Sequence, residues 1–212
     1  MKFYIDPGTG SMLFAILIGI IGAVTYMLKS WLLKLRFILS GGKKVDVGAD
    51  KIPLVIFSDD KRYWSVFRPV CRELDKKGID TVYMTASQDD PALECDFEHI
   101  KPEFIGEGNK AFAKLNFLNA SVVMSTTPGL DVYQWKRSKQ VDCYVHLPHA
   151  ASDISGYRMF GIDYYDAILL SGQYQVEQVR DLEKLRNLPE KELVKVGIPY
   201  MDDMLARLHA DT

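Results

Sequence analysis

The sequence lacks most of the features that name a chemistry at sight. Cysteine occurs only as Cys71, Cys95 and Cys143, an odd number, far apart and in no ligand-like spacing. That pattern excludes a disulfide framework and reads as reduced thiols in a cytosolic domain. No Gly-x-Gly-x-x-Gly and no Gly-x-x-x-x-Gly-Lys-Ser/Thr opens a helix, so a dinucleotide fingerprint and a phosphate-binding P-loop are both excluded. There is no internal repeat and no low-complexity tract. An excess of one charge is missing as well: 26 basic against 28 acidic residues argue against a chain built to coat nucleic acid.

What is present begins with an apolar run. Met12 to Leu28 is 17 residues without a charge. As a helix rising roughly 1.5 Å per residue it spans about 25 Å, near the lower limit for crossing a bilayer. Trp31, Leu32, Leu33 and Leu35 extend it, Lys29 and Lys34 can snorkel to headgroups, and Tyr26 and Trp31 suit the interface. A cleaved signal peptide fits poorly, because the start carries one Lys and one Asp and the exit is Lys-Ser-Trp-Leu-Leu. A buried core helix fits poorly too, because the run has no polar face. Lys29, Lys34, Arg36, Lys43 and Lys44 follow the run, against Lys2 before it, which places the C-terminal side in the cytoplasm. The expected layout is a short extracytoplasmic segment (1–11), a transmembrane anchor with its interfacial flank (12–35), a basic linker against the membrane surface (36–51) and an α/β domain (52–212). The localisation expected is a single-pass cell-membrane protein with its domain on the cytoplasmic face.

From Ile52 onward short β-rich runs alternate with helical segments. Strands are predicted at 53–57, 81–84, 99–105, 121–125, 142–147, 167–170 and 193–196. Helices are predicted at 64–77, 108–118, 132–137, 173–185 and 200–208, with a polar loop over 87–96. Alternation of this kind predicts βαβ units, hence one Rossmann-like parallel sheet covered on both faces. Ligands of such sheets bind at the carboxyl ends of strands. The loops to examine are therefore 58–60, 125–129, 146–155, 171–173 and 197–199.

The sharpest constellation is Val145-His146-Leu147-Pro148-His149-Ala150. Pro148 ends the ladder and puts His149 in the loop beyond, where a neutral imidazole can take a proton from an attacking hydroxyl. His146 lies within the strand, which suits packing, and counts as a substrate-binding candidate by its position. Two histidines without a third ligand at a recognised spacing do not make a metal site, and neither a metal nor a cofactor is expected. Ser125-Thr126-Thr127-Pro128-Gly129 offers hydroxyls and amides before the predicted helix at 132–137, a turn that can hold phosphate or simply cap the helix. Asp153 and Ser155 can orient a histidine or a polyol hydroxyl, or cap a helix. Trp135, Lys136 and Arg137 read as an exposed basic helix end. Ser171, Gly197 and Pro199 complete the strand-end set.

Three segments carry a resemblance. Val145-His146-Leu147-Pro148-His149-Ala150 resembles the Trp-His-Gly signature of the CDP-glycerol glycerophosphotransferase family, the teichoic-acid polymerase-like enzymes, with His149 at the family's histidine and Pro148 and Ala150 in place of its Trp and Gly. Tyr164-Tyr165-Asp166-Ala167-Ile168-Leu169-Leu170-Ser171 resembles the strand that follows. Gly197-Ile198-Pro199-Tyr200-Met201-Asp202-Asp203-Met204-Leu205 resembles the family's Gly-x-Pro-x-x-Asp-x-Leu turn, with Asp203 one position late. The match covers roughly Leu54 to Leu205. It implies the glycosyltransferase B-type fold, two Rossmann-like domains with the active site between them and the nucleotide donor held mainly by the second. This chain is similar to the first, acceptor-side half. The implied activity is transfer of glycerol phosphate from CDP-glycerol to a membrane-linked glycan or polyol-phosphate acceptor, in cell-envelope polymer synthesis. His149 would be the general base, and CDP-glycerol would be bound through a C-terminal half that this chain lacks. Two alternatives stay open: half of another B-type glycosyltransferase or of a sugar-nucleotide epimerase, and a non-catalytic membrane-tethered binding domain.

Overall fold

The computed structural model describes residues 51–158 and 160–210, apart from the side chains of Ala206 and Arg207. The expected anchor and almost all of the expected linker lie outside the described residues. Among the described residues no helix is long and apolar enough to cross a membrane.

Seven strands form one sheet: β1 (Ile52–Ser58), β2 (Thr81–Thr85), β3 (Ile100–Phe104), β4 (Ala120–Ser125), β5 (Val141–His146), β6 (Ala167–Leu170) and β7 (Glu192–Lys195). All six pairings are parallel, and the spatial order is β3-β2-β1-β4-β5-β6-β7. The chain builds outward from β1 in one direction, then returns to β1's other edge and builds outward again. The carboxyl ends of β1 and β4 flank that reversal, where a parallel sheet leaves a crevice.

Among the described residues four helices of seven residues or more accompany the strands: α1 (Trp64–Lys76), α2 (Asn109–Leu115), α3 (Gln173–Arg186) and α4 (Pro199–Ala210). Apolar side chains fill both faces of the sheet, as parallel strands require. On one face Ile56, Tyr83 and Leu147 pack with Val66, Phe67 and Cys71 of α1, and Tyr200 of α4 joins them. The Arg72 guanidinium of α1 binds Asp203 of α4 at 2.5 Å. On the other face Val55, Phe57, Val123 and Tyr144 pack against Ala111 and Leu115 of α2 and against Leu130 and Trp135. Val179 of α3 covers Ile168 and Leu170 together with Ile154 and Ile162. The edge strand β3 carries Pro102 in register with Tyr83, and Lys101 and Glu103 on either side of it are exposed.

The predicted strands and four of the five predicted helices match these elements to within a few residues. The helix predicted at 132–137 does not form; the segment is a run of turns. Asp131 adopts a positive φ of 62° and its amide donates to the Trp135 carbonyl at 2.8 Å. Asn116 accepts from the Lys136 amide at 2.7 Å and donates to the Gln134 carbonyl at 3.2 Å. Nor is the segment an exposed basic end. Trp135 is buried edge-on to Phe57 at 5.1 Å between ring centres, and Arg137 lies over the Tyr144 ring while binding Asp166 at 2.9 Å. Long-range partners outbid the local 3.6-residue pattern here.

A buried ionic network fastens α3 to the far side of the sheet. Glu183 accepts from the Arg180 guanidinium at 2.6 Å and from the Lys191 amide at 2.8 Å. Asp163 binds Arg186 at 2.6 Å, and its carbonyl accepts from the Lys191 ammonium at 2.6 Å. Removing one member strands the others in a poorly solvated place. Glu183→Ala should therefore lower the unfolding free energy by about 3 kcal/mol in urea titration. Breaking the exposed Lys51–Asp142 pair with Asp142→Ala should cost under about 1 kcal/mol. Equal effects would mean that the network does not act as a buried one.

Candidate functional site

The site begins with register. Phe57, Ser125 and His146 lie side by side at the carboxyl ends of β1, β4 and β5, and Ile168 near the start of β6 continues the rung. Register neighbours in a parallel sheet project to the same face. Beyond this rung β4 and β5 leave the sheet and β1 follows after Ser58, while β6 runs on to Leu170.

His146 has no exposed surface. Its Nε2 hydrogen-bonds the Tyr157 hydroxyl at 3.0 Å, and its ring packs against Tyr157 and Tyr165 at 5.3 and 4.9 Å between centres. Its Nδ1 has no partner. Burial, with a smaller repulsion from His149, pushes its pKa down to about 3, so the imidazole is neutral at ordinary pH. Both tyrosines belong to the stretch between β5 and β6, which is pinned across the end of β4. The Tyr165 hydroxyl donates to the Thr127 carbonyl at 2.5 Å, and the Gly129 amide donates to the Gly161 carbonyl at 2.7 Å.

The turn after β4 is closed upon itself. Ser125 Oγ accepts from the Thr127 amide at 3.0 Å. Gly129 has a φ of +90°, and a Cβ there would stand 2.5 Å from the Tyr133 ring, so only glycine fits. With the Thr127 and Gly129 amides bonded internally, Pro128 lacking an N–H and no helix following, the turn has little of the amide and dipole character that grips phosphate. What it does offer is hydroxyls. Thr126 and Thr127 are buried, at 1% and 8% exposure, and neither Oγ1 has a hydrogen-bond partner.

His149 is half-buried beyond Pro148, its ring centre 5.1 Å from that of Tyr63, and its Nδ1 is sequestered without a partner. Tyr63 ends a short 3-10 turn, Lys61–Tyr63, that Asp60 caps by accepting from the Arg62 amide at 2.9 Å. The residue before the cap, Asp59, is exposed by surface area, while the protein packed around one side of its carboxyl raises its pKa above the ordinary carboxylate value. The nearby Thr127 hydroxyl and the Arg62 charge pull it down by less. Three loops thus bring Asp59, Thr126, Thr127, Tyr63 and His149 to the point where strand order reverses.

The remaining candidates stand apart. Asp153 caps the 3-10 turn Ile154–Gly156, accepting from the Ser155 amide and hydroxyl at 2.8 and 2.5 Å, which holds its carboxyl below the usual range. Ser171 follows β6, its hydroxyl bonded to Tyr174 and its amide to Gln175. Gly197 follows β7 with a φ of +74°, and Pro199 opens α4. At about 4.8 Å per strand, the end of β7 lies roughly 14 Å from the end of β4. Sequence reasoning did not single out Asp59, Tyr63, Tyr157 or Tyr165. Asp59 was within reach, because the loop after the first strand had been marked. Tyr63 and Tyr157 fit no motif, and Tyr165 lies in the segment 164–171 that carries the resemblance.

Among the described residues no group of three His, Cys, Asp or Glu side chains is placed to hold a metal ion. No family model, curated protein or solved structure matches the chain.

The neutrality of His146 has a pH consequence. Its pKa falls from an ordinary 6.5 to about 3 on folding, so between those values the unfolded chain binds the extra proton. Stability from this residue is complete above pH 6.5 and declines as pH falls toward 3. The slope is about 1.4 kcal/mol per pH unit when fully expressed. His146→Gln should lower stability at pH 7 yet flatten its dependence on acid between pH 6 and 4, read by thermal unfolding across that range. An unchanged slope would show that other groups set the acid limit.

Proposed function

We propose that this chain is the acceptor-side half of a membrane-anchored glycerophosphotransferase-like protein, working with CDP-glycerol and a membrane-linked glycan or polyol-phosphate acceptor in cell-envelope polymer synthesis. One observation carries the reading. His149 stands free of the sheet ladder at the strand-order reversal, half-exposed and beside Tyr63, where an acceptor hydroxyl can reach it. The resemblance of 145–150, 164–171 and 197–205 to the CDP-glycerol glycerophosphotransferases supports the same role.

In this mechanism the acceptor oxygen attacks the β-phosphorus of CDP-glycerol. A new P–O bond forms, the bond from that phosphorus to the oxygen of CMP breaks, and the acceptor proton passes to His149. Most of the rate gain comes from positioning and from charge stabilisation supplied with the donor. An anchor at 12–35 would keep the base on the cytoplasmic face, beside a lipid-linked acceptor.

A second reading is a membrane-tethered domain that binds its acceptor without chemistry. It is favoured by the closed turn after β4, whose Thr127 and Gly129 amides are already bonded within the chain. One assay separates the two. With a donor-binding second half supplied, release of CMP from CDP-glycerol should depend on a membrane acceptor, and His149→Ala should slow it by roughly 10²–10⁴. Acceptor capture without any CMP release would decide for the tethered binder, and full turnover by His149→Ala would remove the histidine from the chemistry.

A further inference from the structure

The reversal point holds an exposed carboxylate, Asp59, one residue past the end of β1. Asp59 and Asp60 are adjacent, and Asp60 does the local work: it caps 61–63 and holds the Arg62 guanidinium at 2.9 and 3.2 Å. Asp59 has no ion-pair partner among the described residues. The groups that bear on it electrostatically are Asp60, Arg62, Tyr63 and Thr127, and Tyr165 feels its charge in turn. Arg62, the cation among them, is already committed to Asp60.

The Thr127 hydroxyl bears on this carboxylate, and on the loops after β4 and β5 the buried atoms Thr126 Oγ1, Thr127 Oγ1 and His149 Nδ1 have no partner by hydrogen-bond geometry. Buried polar atoms are nearly always paired, so several orphans at one strand-end crevice point to a ligand that completes them. The chemistry of that ligand follows from the inventory. A carboxylate only accepts hydrogen bonds, whereas a threonine hydroxyl both donates and accepts. A phosphate would be repelled by Asp59 and would find few free amides in the turn. A hydroxyl-rich neutral group fits every member, donating to Asp59 and exchanging hydrogen bonds with the threonines.

We propose that Asp59 binds the acceptor's terminal hydroxyl directly, while Thr126 and Thr127 read the neighbouring hydroxyl of the same polyol end. The inference rests on the acceptor-side reading of this domain and deepens it. The crevice is a polyol subsite, and its carboxylate discriminates against an anionic terminus. A polyol chain would then be extended at a free hydroxyl end and refused at a phosphorylated one. In transfer, the terminal hydroxyl turns its single proton from Asp59 to His149 as its oxygen attacks phosphorus.

The test is ligand-observed saturation-transfer NMR on the full-length chain in detergent, with glycerol, ribitol, inorganic phosphate and glycerol 3-phosphate as probes. Glycerol and ribitol should give signals that fall at least tenfold in Asp59→Ala and in Thr126→Val but persist in Asp142→Asn, a surface control. Inorganic phosphate should give none in the wild type and gain a signal in Asp59→Asn, where the repelling charge is gone and the shape is kept. Thermal unfolding of each variant identifies any that fails to fold, and the isosteric Asp59→Asn then decides alone. Polyol signals indifferent to Asp59, a wild-type phosphate signal equal to the polyol signal, or no polyol signal at all would each overturn the proposal. The measurement needs no donor, so it separates the two claims. Asp59-dependent polyol binding without CMP release leaves this inference standing and defeats the transferase. His149-dependent CMP release with wild-type behaviour in Asp59→Asn does the reverse.

Discussion

β1 is hydrogen-bonded along both edges, to β2 on one side and β4 on the other, and its central residues Val55, Ile56 and Phe57 are wholly buried. Everything else is arranged around that strand. Because β2 and β3 grow from one edge and β4 to β7 from the other, strand order reverses at β1, the place where parallel sheets bind ligands. Phe57 and Ile56 face opposite sides, so the same strand anchors both apolar layers, Trp135 and α2 on one side and α1 on the other. A site at this place inherits its rigidity from the best-buried strand of the sheet.

The loops over the crevice are held by side chains that face inward. Tyr157 and Tyr165 close upon His146, and Tyr165 reaches on to the Thr127 carbonyl, so the stretch between β5 and β6 is tied to the turn after β4. His146 thereby acts as a keystone under the crevice floor, while His149, three residues later, stays at its rim. Two histidines almost adjacent in sequence have opposite surroundings because Pro148 takes the chain out of the ladder between them.

Much of this was legible in the sequence, for stated reasons. The strands announce themselves as short apolar runs such as 53–57 and 167–170, and the regular spacing of helices between several of them leaves a parallel sheet as the natural arrangement. His149 could be picked out because a proline fixes where the strand stops. The segment 132–137 was misjudged because Trp135 answers to Phe57 and Tyr144, and Lys136 to Asn116, partners that no local period reveals. The contribution of Asp59 was hidden for a similar reason. A carboxylate after a strand looks the same whether it caps a helix or not, and only the structure shows Asp60 taking the cap while the Thr127 hydroxyl bears on its neighbour. The pairing of Tyr157 with His146 joins residues 11 apart across an irregular loop, where neither a helical nor a strand period operates.

The two outer strands decide how large the sheet can become. An open edge of backbone donors and acceptors invites another chain to add itself as an eighth strand. At one border Pro102 cannot donate and stands between the exposed charges of Lys101 and Glu103. At the other, β7 is only four residues long and carries Glu192 and Lys195 at its ends, both exposed. Copies of a protein at high local concentration meet far more often than dilute ones. Borders of this kind let neighbouring copies crowd together without zipping into a continuous ribbon.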